Sequence, residues 1–178
     1  QGAVDPAHPV VGGPGDDVLE VDRHLLRHAL VLDNSLGQAT DGGVPVTAWG
    51  GFERFRLSPI GPWVPPAFVG GDGPERLWTS VPLTSVTLGG GDDALTLELQ
   101  GRLVDGASYD GGGGDDSFAL YAGAGDQARR VLLDLPGEHL RFRRDREAVE
   151  ATLRGFEQHR LSAWRLDVTG SASADQLE

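Results

Sequence analysis

Three glycine–aspartate turns recur along this chain of 178 residues and leave few ways to fold it. They are Gly12-Gly13-Pro14-Gly15-Asp16-Asp17-Val18-Leu19, Leu88-Gly89-Gly90-Gly91-Asp92-Asp93-Ala94-Leu95 and Gly111-Gly112-Gly113-Gly114-Asp115-Asp116-Ser117-Phe118. Each fits the nonapeptide G-G-x-G-x-D-x-U-x, where U is a large apolar residue; Leu88 replaces the first glycine of the middle copy. A stretch of this kind reads as a calcium-ligating turn followed by a short strand. Glycine lets the backbone turn tightly, aspartate supplies hard anionic oxygen, and the apolar residue plugs a narrow core.

Composition narrows the field. Glycine numbers 27 and aromatic residues make up 7%, which suits a chain that turns every few residues around a thin core. The net charge of −12 argues against nucleic acid or an anionic membrane as partner. It fits a chain that neutralises itself with bound cations; the plainer alternative is acidity for solubility alone. Without cysteine neither a disulfide framework nor a thiolate metal site can form, and a divalent ion is another staple. Every basic side chain is arginine and methionine is absent, a bias that fits a GC-rich bacterial genome. No signal peptide or membrane span is visible. The missing initiator methionine reads as the mark of an excised piece.

Internal repetition goes beyond the turns. Gly51-Phe52-Glu53-Arg54-Phe55-Arg56-Leu57-Ser58 returns as Gly155-Phe156-Glu157-Gln158-His159-Arg160-Leu161-Ser162. Upstream of each lies an apolar strand ending in aspartate, Ala29–Asp33 and Arg130–Asp134. Downstream of each lies a worn nonapeptide, Gly70–Leu77 with Glu75 at the acid position and Gly170–Leu177 with Asp175 there. Two units, about 10–78 and 110–178, therefore share one order of parts within a single domain at 10–178. Landmarks recur about every twenty residues, the length of one coil of a parallel β-solenoid whose coils bury their apolar faces by stacking. Val18–Val21, Leu95–Leu99 and Trp164–Val168 have strand-like composition or alternation. Asp145–Leu153 has helical propensity, Ser58–Pro66 reads as a proline-rich excursion, and residues 1–9 read as a flexible lead-in.

On these motifs the chain resembles the RTX, or haemolysin-type, calcium-binding repeat family; the Gly-Phe-Glu strands are similar to those interleaved with such repeats in large bacterial surface and secreted proteins. The resemblance implies an all-β, right-handed parallel β-helix or β-roll with Ca2+ in its turns, exported from a bacterium to the cell surface or medium. It implies acid ligands at Asp17, Asp93, Asp116 and Asp175, with Glu75 at the equivalent place in a worn turn. It places carbonyl donors in the glycine runs around Gly13, Gly89 and Gly91, and Gly112 and Gly114. Classical rolls carry nonapeptides back to back, whereas here they are about twenty residues apart or farther. A continuous ladder of ions is therefore not expected. One to three sites are, best where the turns at Gly70, Gly89 and Gly111 stack. Asp93 and Asp116 are the favoured pair, and Asp92, Asp110 and Asp115 either reach in or face water.

The function this implies is a calcium-binding structural module of a larger exported protein. The alternatives are a calcium-dependent carbohydrate-binding or adhesion module, or a non-catalytic part of a polysaccharide-active enzyme. Glycans and neighbouring domains are the partners considered, with Trp49, Trp63, Trp78 and Trp164 and Arg141, Arg143, Arg144 and Arg146 as a candidate surface. The plainer alternative is core packing for the tryptophans and a solvated face for the arginines. Catalysis has little support. His24 and His28 lack the glutamate of H-E-x-x-H, no G-x-S-x-G elbow occurs, and the close acid pairs that glycoside hydrolysis needs all sit in the turns. If ion binding supplies folding energy, EGTA should loosen or unfold the protein; unchanged circular dichroism and melting temperature would count against the ion.

Overall fold

In a computed structural model of the chain, the described residues are 8–22, 29–58, 64–99, 103–122, 130–144, 147–163, 165–170 and 176–177. All of their regular elements are strands. β1 (Val10–Val11) and β2 (Val18–Asp22) come first, followed by β3 (Leu30–Asp33), β4 (Gln38–Asp41) and β5 (Val44–Gly50). The middle of the chain forms β6 (Arg54–Ser58), β7 (Ala67–Val69), β8 (Arg76–Thr79), β9 (Ser85–Thr87), β10 (Ala94–Leu99), β11 (Ala107–Asp110) and β12 (Ser117–Ala122). The last third forms β13 (Arg130–Asp134), β14 (His139–Arg144), β15 (Glu147–Arg154), β16 (Gln158–Ser162), β17 (Leu166–Thr169) and β18 (Gln176–Leu177).

These strands make two sheets. One has seven strands in the order β18-β16-β12-β10-β8-β6-β2, all parallel. The other has eleven, in the order β1-β5-β4-β3-β7-β9-β11-β15-β14-β13-β17. From β6 to β12 the chain changes sheet at every strand, and each return lands one place further along. Alternating side chains point inward: Leu95, Leu97 and Leu99 of β10 are buried, as are Phe118 and Leu120 of β12. Across the interface Phe55 of β6 meets Phe68 of β7 edge-on at 5.1 Å, and Trp49 of β5 lies 6.1 Å from Phe55. One apolar cluster joins the two sheets. Period-two alternation and burial of one face per sheet fix the register, because a one-residue slip would expose the whole inner row.

The expectation of a uniform right-handed parallel β-helix is overturned. In the larger sheet β4 pairs antiparallel with β3 and β5, and β14 pairs antiparallel with β13 and β15. Ala29–Asp33 and Arg130–Asp134 each lead into a three-strand meander within one sheet, not into a single coil. The steps from Asp33 to Gly51 and from Asp134 to Gly155 are therefore up-down-up excursions, and the twenty-residue spacing measures a sheet-to-sheet circuit only between β6 and β12, not over the whole chain. The turn chemistry explains the reversals. Gly42 and Gly43 both have positive φ (60° and 84°) between the paired Asp41 and Val44, the two-residue hairpin geometry that glycine favours. At the other site Glu138 takes φ 56° and donates its amide to the Leu135 carbonyl.

The helix expected over Asp145–Leu153 is also corrected: from Glu147 onward the chain is β15, held by β14 on one side and β11 on the other. Ala151 and Leu153 are buried and Thr152 and Arg154 exposed, so strand pairing overrides local propensity. Part of the Ser58–Pro66 excursion and most of the lead-in lie outside the described residues.

The turns entering β8, β10 and β12 stack closely. Gly90 donates to the Gly71 carbonyl, Gly113 to that of Gly89 and Gly91 to that of Gly113, each at 2.9 Å. A Cβ on Gly112 would sit 2.1 Å from the Gly89 carbonyl oxygen, and Gly112 also has φ +100°. Gly113 has open space around it. Gly112→Ala should therefore lower stability by about 3 kcal/mol or more, whereas Gly113→Ala should cost no more than about 1 kcal/mol; urea unfolding of the two variants checks the contrast.

Candidate functional site

The residue before six of the seven strands of the all-parallel sheet is the informative position. It is Asp17 before β2, Glu53 before β6, Glu75 before β8, Asp93 before β10, Asp116 before β12 and Glu157 before β16. Main-chain bonds stack them in that order. The amides of Arg54, Arg76, Ala94, Ser117 and Gln158 donate to the carbonyls of Asp17, Glu53, Glu75, Asp93 and Asp116. The result is a column of six carboxylates along one end of the sheet, with rungs about 4.8 Å apart.

The carboxylates also bind one another's rungs. The Asp17 amide donates to Glu53 Oε2 (2.9 Å), the Glu75 amide to Asp93 Oδ1 (2.7 Å), the Asp93 amide to Asp116 Oδ1 (2.8 Å) and the Asp116 amide to Glu157 Oε2 (2.8 Å). Within a turn, Gly13 donates to Asp17 Oδ2 at 2.6 Å and Gly71 to Glu75 Oε1 at 2.8 Å. Asn34, from the turn between β3 and β4, donates its side-chain amide to Glu75 Oε1 at 2.9 Å and accepts from Trp49 Nε1. The β3–β4–β5 excursion thus reaches over the column and fixes Glu75.

The centre of the column is buried. Glu75, Asp93 and Asp116 are 3%, 2% and 0% exposed, whereas Glu157 faces solvent. Each of the three buried carboxylates spends one oxygen on hydrogen bonds and leaves the other, Glu75 Oε2, Asp93 Oδ2 or Asp116 Oδ2, with no partner. A buried charged oxygen without a partner is costly, so the column must take up a proton or a cation. Burial first, then the neighbouring charges of Glu75 and Asp116, push the Asp93 carboxyl up to about 7. Burial also raises Glu75, against the pull of its bonds from Asn34 and Gly71. It raises Asp116 as well, with Glu157, Asp92 and Asp115 adding their repulsion.

The expected ligands divide. Glu75, Asp93 and Asp116 come together on successive rungs, while Asp17 sits at the far end of the column with Glu53 and Glu75 between it and Asp93. Asp92 and Asp115 form an exposed second row, in which Asp92 Oδ1 accepts from the Asp115 amide. Asp110 is not part of the column: it lies on β11 and pairs with Arg154 at 2.6 Å. Asp175 lies outside the described residues, as do His24 and His28. Of the expected carbonyl donors, Gly89 already accepts from Gly113. Close stacking of the turns accounts for glycine at Gly91 and Gly114 too, where a Cβ would come within 2.7 Å of the Gly73 backbone and 1.9 Å of the Gly91 oxygen respectively. Gly13 lies at the turn where its amide meets Asp17.

Two members of the column, Glu53 and Glu157, were missed by motif reading. The signal was present: in both Gly-Phe-Glu copies the glutamate stands one residue before an alternating strand, as the aspartate does in the nonapeptides. Of the expected tryptophan and arginine surface, the members among the described residues lie apart. Trp49 is buried against Phe55 and Trp78 lies on the other sheet. Arg141 is paired with Glu150 on β14 and β15, and Trp63, Trp164 and Arg146 lie outside the described residues.

Among the described residues no three histidine, cysteine, aspartate or glutamate side chains converge as a ready-made metal cluster, and no helix is long and apolar enough to cross a membrane. Against known protein families, curated proteins and solved structures the chain finds no match. With the sheet mixed and no family match, the expected function as an RTX-type structural repeat module is withdrawn.

The metal-free column gives a pH dependence with a definite sign. Asp93, Glu75 and Asp116 have raised values in the folded state, so the fold binds more protons than the unfolded chain. Their contribution is full below the ordinary carboxylate range and is lost as pH rises through about 7 for Asp93. In the presence of a chelator the melting temperature should fall between about pH 5 and about pH 8. Asp93→Asn, which cannot ionise, should flatten that fall.

Proposed function

We propose that the column is a divalent-cation site and that the protein binds calcium between the rungs that begin β8, β10 and β12. The supporting observation is the run of three buried oxygens without partners, Glu75 Oε2, Asp93 Oδ2 and Asp116 Oδ2. The donor set is all oxygen and anionic, which suits a hard cation; transition metals favour imidazole or thiolate. Calcium tolerates irregular geometry, while magnesium requires a near-ideal octahedron and holds its water. Calcium takes roughly six to eight oxygens, so water and turn carbonyls would complete a set that the carboxylates begin.

The proposal concerns the column alone and needs no repeat array. It is a role in binding and stability, not in catalysis, because every buried acid of the column is already committed to a main-chain amide. An extracellular setting suits it, since extracellular calcium modules work at about 10⁻⁴–10⁻³ M.

Melting curves of the wild type and of Asp93→Asn, each with calcium and with EGTA, test this reading. Ligand at about a hundred times its dissociation constant stabilises by about 2.7 kcal/mol. The wild type should gain stability with calcium and much less with magnesium. Asp93→Asn should match or exceed the wild type in EGTA, because a like charge has gone, and should lose most of the calcium gain. Asp110→Asn, outside the column, should keep it. A wild type indifferent to calcium, or a full calcium gain in Asp93→Asn, would defeat the proposal.

A further inference from the structure

Asn34 occupies a position that the fold itself does not require to be polar. It follows Asp33 in the turn between β3 and β4, and Leu135 follows Asp134 in the matching turn between β13 and β14. The two turns carry the same bonds. Asp33 Oδ1 accepts the Leu36 amide and Asp134 Oδ1 accepts the Gly137 amide. The Asn34 amide donates to the Val69 carbonyl of β7, and the Leu135 amide to the Thr169 carbonyl of β17. Gly37 then donates to the Asn34 carbonyl as Glu138 does to that of Leu135. Leucine therefore builds this turn as asparagine does, and the Asn34 side chain must be explained by what it touches.

It touches Glu75. Along the column Glu53, Asp93, Asp116 and Glu157 each accept the main-chain amide of the acid on the rung before. Glu75 is held differently: Asn34 Nδ2 at 2.9 Å and the Gly71 amide at 2.8 Å share its Oε1. A side-chain amide thus stands where a main-chain amide stands elsewhere. A cleft of about 560 Å3 opens at this place, lined by Asn34, Phe52, Glu53 and Glu75 together with the turn before β8. Glu75 is still only 3% exposed, and its Oε2 has no partner. A glutamate is long and rich in rotamers, and its charge is better solvated in water than in the column, so the free side chain would swing into the cleft. The two donors on Oε1 hold it back. Asn34 is itself fixed, by Trp49 Nε1 on its Oδ1 and by the Val69 carbonyl on its amide, which is how an outer partner orients a metal ligand.

We infer that Asn34 is a positioning residue of the cation site, keeping the Glu75 carboxylate in the column and out of the cleft. The inference rests on the calcium reading above. Calcium titration calorimetry, with melting curves in calcium and in EGTA, tests it on the wild type and two variants. Asn34→Leu copies Leu135 of the matching turn; Asn34→Ser keeps a hydroxyl for Trp49 but is too short to reach Glu75. Both should bind calcium about tenfold more weakly or worse. Both should also show a smaller rise in melting temperature with calcium, each measured against its own value in EGTA. A residue that only braced the turn would lower the two melting temperatures equally and leave the affinity unchanged. In a Glu75→Gln background, where Asp93 and Asp116 remain, Asn34→Leu should have no further effect on affinity, because Asn34 acts through that carboxylate. Full calcium affinity in folded Asn34→Leu or Asn34→Ser, or an undiminished effect of Asn34→Leu beside Glu75→Gln, would overturn the inference and leave the calcium reading standing. A wild type that binds no calcium would remove both.

Discussion

The structure depends on a hydrogen bond between a carboxylate on one rung and the main-chain amide of the acid on the next. It recurs from Glu75 to Asp93, from Asp93 to Asp116 and from Asp116 to Glu157. A bond of this kind contributes about 1.5–3 kcal/mol. Two charges one rung apart repel by about 3 kcal/mol at an effective dielectric of about 20. The two effects nearly offset at an exposed rung. At the buried rungs desolvation tips the balance against the fully ionised column, and the three oxygens without partners mark where compensation must arrive. A proton meets that need at low pH, and under the proposed function a divalent ion would meet it at high pH.

The excursions serve the same column. The β3–β4–β5 meander brings Asn34 to Glu75 and ties Asn34 back to Trp49, which is seated in the core against Phe55. The antiparallel strands that break the regularity of the larger sheet thereby couple the apolar core to the acid stack. Stability of the core and charge state of the column are linked through one side-chain amide.

Much of the site was legible in the sequence and part of the fold was not. The nonapeptide pattern picks out Asp93 and Asp116, and its worn copy picks out Glu75, because an acid one residue ahead of an alternating strand has only one place to go when strands stack in register. Glu53 and Glu157 escaped because Gly-Phe-Glu lacks the glycine run, although the position relative to the strand is the same. The meanders escaped because the motif spacing was read as a period. Asp41-Gly42-Gly43 is a strong local hairpin signal that outranks spacing. β15 escaped because Glu, Ala, Arg and Leu favour a helix in isolation, while pairing on both sides and burial of Ala151 and Leu153 decide the matter in the fold.

The most direct measurement is anomalous diffraction from crystals grown in calcium at neutral pH. The account predicts a calcium peak within about 2.3–2.6 Å of Asp93 Oδ2 and of a neighbouring acid of the column, Glu75 or Asp116. Ordered, buried carboxylates with no ion beside them under those conditions would contradict it.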